Sequence, residues 1–253
     1  KIVVESKRIH SDKAYIWESD GASGYSISEG TKTDNGTTIT LYLKDDTEDI
    51  TYSDYISDYK IKSLITKYSD YIRYPIVFKD ETLNSMIPLW KKDKSKITDT
   101  DYNNFYSDKY YDYEAPLKVI HTSAEGMVSY KALLFIPSHT PMDYYTKEYE
   151  KGLSLYSNGV LIMDTCKDLL PDYLAFVKGV VDTEDISLNI SREMLQHDRQ
   201  LTKIATNLEK KVIKHLQELQ NDKPEVYKEF FEALGINIKF GIYNSYGEKN
   251  DLS

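Results

Sequence analysis

At 253 residues the chain is long enough for one or two domains with a sizeable hydrophobic core. Its 32 Lys and Arg against 41 Asp and Glu leave a formal charge of −9, which argues against a broad grip on phosphate backbones and so against nucleic acid as a partner. No run of about 18 apolar residues is present to span a bilayer, and the lone cysteine, Cys166, excludes an internal disulfide and a thiolate metal site, making the cytosol the expected compartment.

The chain opens at Lys1 without methionine and runs at once into Ile2-Val3-Val4, a strand already in progress, so it reads as a fragment. Residues 14–17, 25–27 and 38–43 read as further strands punctuated by Gly21, Gly24, Gly30 and Asn35-Gly36, and together they predict an antiparallel meander. From Ser53 the period changes: Ile61, Leu64, Ile65, Tyr68 and Ile72 form the stripe of a helix lying on a sheet, ended by Arg73-Tyr74-Pro75. A short strand at 76–78 precedes a polar segment from Lys79 to Pro88, the candidate domain boundary.

Lys91, Lys92, Lys94 and Lys96 form a basic cluster, read as a solvated loop. Thr98-Asp99-Thr100-Asp101 then has the composition of a helix start leading into Tyr102, Phe105 and Tyr106. Strand signals follow at 117–120, 127–130, 132–136, 153–156 and 160–163, and Pro171 predicts a helix through Val177. A long helical pattern covers about 191–219, Pro224 breaks it, and a second amphipathic helix from Val226 to Leu234 is closed by Gly235. Mixed strands and helices without a repeat predict an α/β or α+β layered fold. The aromatic mass is mostly tyrosine, 23 Tyr against 7 Phe and 2 Trp, which suits half-buried surfaces.

Most short motifs fail on spacing. Gly30-Thr31-Lys32-Thr33 has Thr31 where a phosphate-binding loop needs Gly directly before Lys. The histidines at 10, 121, 139, 197 and 215 make no paired ligand spacing, so no metal site is expected. Gly21-Ala22-Ser23-Gly24 is one residue short of a nucleophile elbow, and the sequons at Asn35 and Asn189 come without a secretory signal. One pattern is more informative. In Leu188 to Gln196 a Ser or Asn can cap a helix whose first turn holds Arg192, with Gln196 on the same face. A guanidinium at a positive helix end either points to water or shares an anion with the helix amides, a phosphate or a carboxylate.

At these residues the chain resembles the 90-kilodalton heat-shock chaperones, most closely their bacterial HtpG branch, along nearly its whole length. The resemblance is carried in order by Ile16-Trp17-Glu18-Ser19, Gly36 through Lys44, Pro88-Leu89-Trp90, Glu125-Gly126, Ala132 through Pro137, and Ile162-Met163-Asp164. Its densest stretch is Phe176 through Asp182, continuing through Asp185 to the run from Leu188 to Gln196.

The resemblance implies the end of a nucleotide-binding domain over residues 1–80, a helix-on-antiparallel-sheet ATPase sandwich. A short linker at 81–88 would follow, then the large α/β sub-domain of a middle domain over 88–222, and a helical connector at 223–253. It implies an ATP-dependent chaperone that assists the folding of client proteins, with ATP and Mg2+ as ligands of the parent and none held by this stretch alone. The parent would be a homodimer through a C-terminal domain beyond Ser253. Thr37 would help hold the adenine end of ATP, Arg192 would reach the γ-phosphate as a catalytic arginine, and Asn189 and Gln196 would support it. Trp90, Met142, Tyr144 and Tyr145 match places where the family presents apolar surface to clients, or else they pack within the domain. The general base and the magnesium-holding asparagine would precede residue 1, so the chain alone is expected to be inactive. By the same resemblance, Gly159 stands just before the Val160 strand, where the family usually carries arginine. The alternative from the residues themselves is a non-enzymatic protein-binding module with an aromatic-rich surface.

Overall fold

The computed structural model describes residues 1–187 and 198–244. The chain divides into two compact units, Lys1–Ser63 and Leu64–Ser253, and the division falls inside one helix, α1 (Asp58–Ser69).

The first unit is built on four strands, β1 (Ile2–Lys7), β2 (Ala14–Ser19), β3 (Ser26–Gly30) and β4 (Gly36–Leu41). All pairs are antiparallel, but the order is β3-β2-β1-β4, so the predicted meander is corrected: β4 returns to the far side of β1. The cause lies in β1 itself. The Glu5 carboxylate accepts the amides of Thr31 (2.7 Å) and Lys32 (2.9 Å), and Lys7 Nζ donates to the Thr33 carbonyl (3.0 Å). The β3–β4 connection is thereby drawn across the end of β1. Register sets Val4 opposite Trp17 and Ile39, and Trp17 opposite Ile27, so one face is apolar, while Glu5, Thr38 and Ser28 alternate onto the other.

The second unit centres on a five-stranded sheet of β7 (Lys118–Ala124), β8 (Tyr130–Ile136), β9 (Leu153–Ser157), β10 (Val160–Cys166) and β11 (Lys178–Thr183). The order is β10-β9-β11-β8-β7, with β11 parallel to β9 and the other pairs antiparallel. Strand β8 is buried on both faces. Ala132, Leu134 and Ile136 belong to one core with α3 (Arg199–Asp222) and α4 (Pro224–Asn244), while Leu133 and Phe135 belong to another with Trp90 and α2 (Asp99–Tyr110). Every residue from Ala132 to Ile136 is fully buried, and each large one contributes about 1.5–3 kcal/mol through lost water contact.

Local chemistry sets the helix ends. Thr98 and Asp101 form a reciprocal capping box on α2, and Asp198 accepts the amides of Gln200 and Leu201 at the start of α3. In α3, Leu201, Ile204, Leu208, Val212 and Leu216 recur at helical spacing on the buried face. Pro224 opens α4 rather than merely ending α3, and α4 runs through Gly235 to Asn244, which corrects the expected stop at Gly235. Gly235 is buried in the helix interior, where a missing side chain permits close packing. The helix expected after Pro171 is only a 3-10 turn (Asp172–Leu174), because the following residues are drawn into β11 between β8 and β9.

The segment expected as a linker, 81–88, is tied into the second unit. A two-residue ladder joins β5 (Val77–Phe78) and β6 (Glu81–Thr82), and buried Asn84 accepts the Ile76 amide (2.7 Å) while donating to the carbonyls of Ile72 and Tyr74. Asp70 Oδ1 accepts the Ser85 amide (2.8 Å).

Candidate functional site

Pro88, in extended backbone, leads into a 3-10 turn that plants Trp90 in the second unit. Its ring is 1% exposed and meets Tyr71 (4.7 Å between centroids), Tyr156 (5.1 Å) and Phe105 (6.0 Å). Trp90 is thus a packing residue in this structure, and the expectation that it offers surface to clients is corrected. Its indole Nε1 donates to Asp182 Oδ2 (3.1 Å), and Lys91 Nζ meets the same oxygen (2.7 Å). Lys91 therefore departs from the solvated-loop reading of the lysine cluster. Asp182 is 3% exposed, and its Oδ1 has no protein partner among the described residues. A buried carboxylate requires such compensation.

The Trp90 carbonyl is held by His121 Nε2 (3.1 Å), while His121 Nδ1 faces Tyr102 Oη (2.7 Å). A carbonyl only accepts, so the proton sits on Nε2 and Nδ1 accepts from the tyrosine hydroxyl. Burial, helped by Lys94 and Lys131 and opposed by the Trp90 carbonyl, lowers the His121 pKa and so favours the neutral ring.

Strand β11 leads from Asp182 toward the segment carrying Asn189, Arg192 and Gln196, which lies outside the described residues. Its approach is fixed. Thr183 Oγ1 donates to the Ser129 carbonyl (2.7 Å), the Ser129 amide donates to Asp185 Oδ2 (2.6 Å), and Ser157 Oγ donates to the Ile186 carbonyl (2.6 Å). On the far side Asp198 caps α3. Sequence reasoning missed Ser129, Ser157, Asp182 and Asp185 as fixing groups; a charge directly after Val180-Val181 was the one available signal.

Thr37 lies in β4 of the first unit, exposed, with its hydroxyl 2.9 Å from Ser6 Oγ. Of the expected client-facing residues, Met142 is fully exposed and Tyr145 is 70% exposed. Tyr144 is half-buried against the α3–α4 core and donates to Asn237 Oδ1 (3.1 Å), so it anchors the loop that displays the other two. Cys166 is buried and its thiol is pushed up to about 11 by burial, which removes it as a nucleophile. Among the described residues no group of three His, Cys, Asp or Glu could hold a metal ion.

The family model described as "Hsp90 protein" matches residues 77–253. The chain belongs to the Hsp90 family. Within it, the chain is similar to the bacterial chaperone protein HtpG: 52% identical to that of Oceanobacillus iheyensis, 50% to that of Clostridium perfringens, and 49% to that of Bacillus subtilis. Each alignment covers 99% of this chain but 43% of the relative, so the chain spans less than half the length of the HtpG proteins it matches. The helix-and-sheet layers described above are those of an α/β Hsp90 domain, and among the described residues no helix is long and apolar enough to cross a membrane.

Proposed function

We propose that this chain serves an ATP-dependent, cytoplasmic molecular chaperone that binds non-native client proteins and works as a homodimer. What carries the reading is the HtpG similarity at about half identity along 99% of the chain. Residues 1–80 would belong to the nucleotide-binding domain, 81–88 to the connection, 88–222 to the large sub-domain of the middle domain, and 223–253 to its helical connector. Thr37 would contact the nucleotide. Arg192, supported by Asn189 and Gln196, would meet the γ-phosphate of ATP, where a guanidinium offsets the charge of the phosphoryl oxygens. Exposed Met142 and Tyr145, with Tyr144 beneath them, would contribute to client contact.

The Thr37 hydroxyl would face the nucleotide from β4, and the chain spans 43% of the length of its HtpG relatives. The complete protein encoded by the reading frame that carries this sequence is therefore the one to assay. Arg192→Ala there is expected to lower ATP turnover by about tenfold or more while ATP affinity stays within about threefold, since the arginine acts on the reacting phosphate. Unchanged turnover refutes the role. The 253-residue chain alone is expected to release no phosphate from ATP.

A further inference from the structure

A groove of about 460 Å3 lies between the C-terminal end of α2 and the loop after β8. Three features set it apart from an ordinary surface depression. Tyr111, the residue capping α2, is held in the left-handed region at φ 55°, unusual for a bulky residue, yet its ring is 80% exposed. The turn that follows is rigid: the Asp112 carboxylate accepts the Tyr106 hydroxyl (2.7 Å) and the Glu114 amide (3.1 Å), so Tyr113, 87% exposed, stands on a fixed platform. Opposite stands Met142, wholly exposed, an adaptable apolar side chain suited to varied partners.

The polar groups of this groove are mostly acidic. Asp112, Glu114 and Asp143 line it, with His139 placed 3.2 Å from Glu114 Oε2. Lys178 is the cation that lines it, and its ammonium is engaged over the Tyr149 ring at 4.2 Å. Two exposed tyrosine faces beside a cluster of carboxylates are what a lysine or arginine side chain recognises, through ring quadrupole and charge together. Met142 provides for an apolar neighbour.

We propose that this groove binds an extended polypeptide segment in which a lysine or arginine stands beside an aromatic or large aliphatic residue. This rests on the chaperone reading and gives it a substrate class: client segments that are both basic and apolar.

The test measures fluorescence anisotropy of the 253-residue chain with a short fluorescein-labelled Gly-Ser peptide carrying Phe-Arg pairs, against the same peptide carrying Phe-Glu pairs. The Phe-Arg peptide is expected to bind about tenfold more tightly or better, with the preference shrinking as salt rises. Tyr111→Gly is the decisive variant. Glycine tolerates the left-handed cap, so the thermal midpoint should rise while peptide affinity falls by about threefold or more. Glu114→Gln with Asp143→Asn should abolish the preference for Phe-Arg.

Equal binding of the two peptides, or full affinity in Tyr111→Gly, overturns the proposal. A concentration-dependent dimer that competes with the peptide overturns it too, in favour of a second copy as occupant. Suppression of aggregation of a heat-denatured protein by the same samples separates the two levels. A wild-type chain that suppresses aggregation while failing the peptide test sinks the groove alone; an inactive complete protein sinks the chaperone reading.

Discussion

Trp90 and Asp182, 92 positions apart, meet through an indole N–H to carboxylate hydrogen bond of 3.1 Å with both groups buried. This contact joins the start of the second unit's α2 region to the end of β11, and Lys91 completes it from the solvent side at 2.7 Å. Removing the carboxylate leaves a buried indole donor and a half-buried ammonium without their acceptor. Asp182→Ala is expected to cost about 3 kcal/mol, as for broken buried ion pairs, and Asp182→Asn less, because an amide oxygen still accepts from Trp90. Urea unfolding followed by the Trp fluorescence of this contact reads both; equal midpoints for wild type and Asp182→Ala would exclude a stabilising role.

Gly159 and Asn158 close the β9–β10 hairpin, with φ values of 82° and 52°, the pattern of a two-residue Asn-Gly turn. A Cβ at Gly159 would stand 2.1 Å from the Tyr71 carbonyl oxygen. An arginine at this position therefore has no room in this arrangement, and the glycine has a local reason. Gly159→Ala should destabilise the chain by more than about 2 kcal/mol, read as a lowered thermal midpoint, and Gly159→Arg should do no better.

Ser157 supplies the hydrogen bond to the Ile186 carbonyl from a fully buried position. Ser157→Ala leaves that carbonyl without its hydroxyl donor, at a cost of about 1–3 kcal/mol. On the proposed role of Arg192, the same change in the complete protein is expected to lower the turnover of ATP more than its affinity, since the anchored stretch leads toward that residue. A variant with lowered stability but unaltered turnover would confine Ser157 to a structural role.

His121 gives the fold a pH dependence with a definite sign. Its pKa is depressed by burial below the ordinary 6.5, so between the two values the unfolded chain binds more protons than the folded one. The stability it contributes is full above about pH 6.5 and is lost as pH falls through the folded-state value. Thermal midpoints measured down to about pH 5 should fall less steeply in His121→Gln than in wild type. Parallel slopes would mean that the ring does not titrate with unfolding.

Element types were legible wherever a periodic stripe or a cap spoke for itself. Thr98 and Asp101 mark the start of α2 by their own hydrogen bonds, and the Leu201-to-Leu216 stripe of α3 needs only the geometry of a helix. Strand β11 was not legible as a strand, because Lys178-Gly179-Val180-Val181-Asp182-Thr183 sets its two valines side by side between polar residues and lacks the alternation of a one-sided sheet. The candidate site was legible only in part. Similarity pointed to Trp90 and Met142 alike, but whether an aromatic or thioether side chain faces solvent depends on what stands opposite it.

By itself the sequence determined the mixed α/β composition, the helix caps, the absence of an internal disulfide and, through ordered motifs, membership of the Hsp90 family. Tertiary structure alone decided that β4 pairs with β1, that Trp90 lies inside against Asp182, that α4 continues through Gly235, and that Gly159 must be glycine. The division has one physical reason. Periodicity and capping are satisfied within a few neighbouring residues, whereas strand order, burial of a polar group and the space around a glycine are set by atoms far away in the chain.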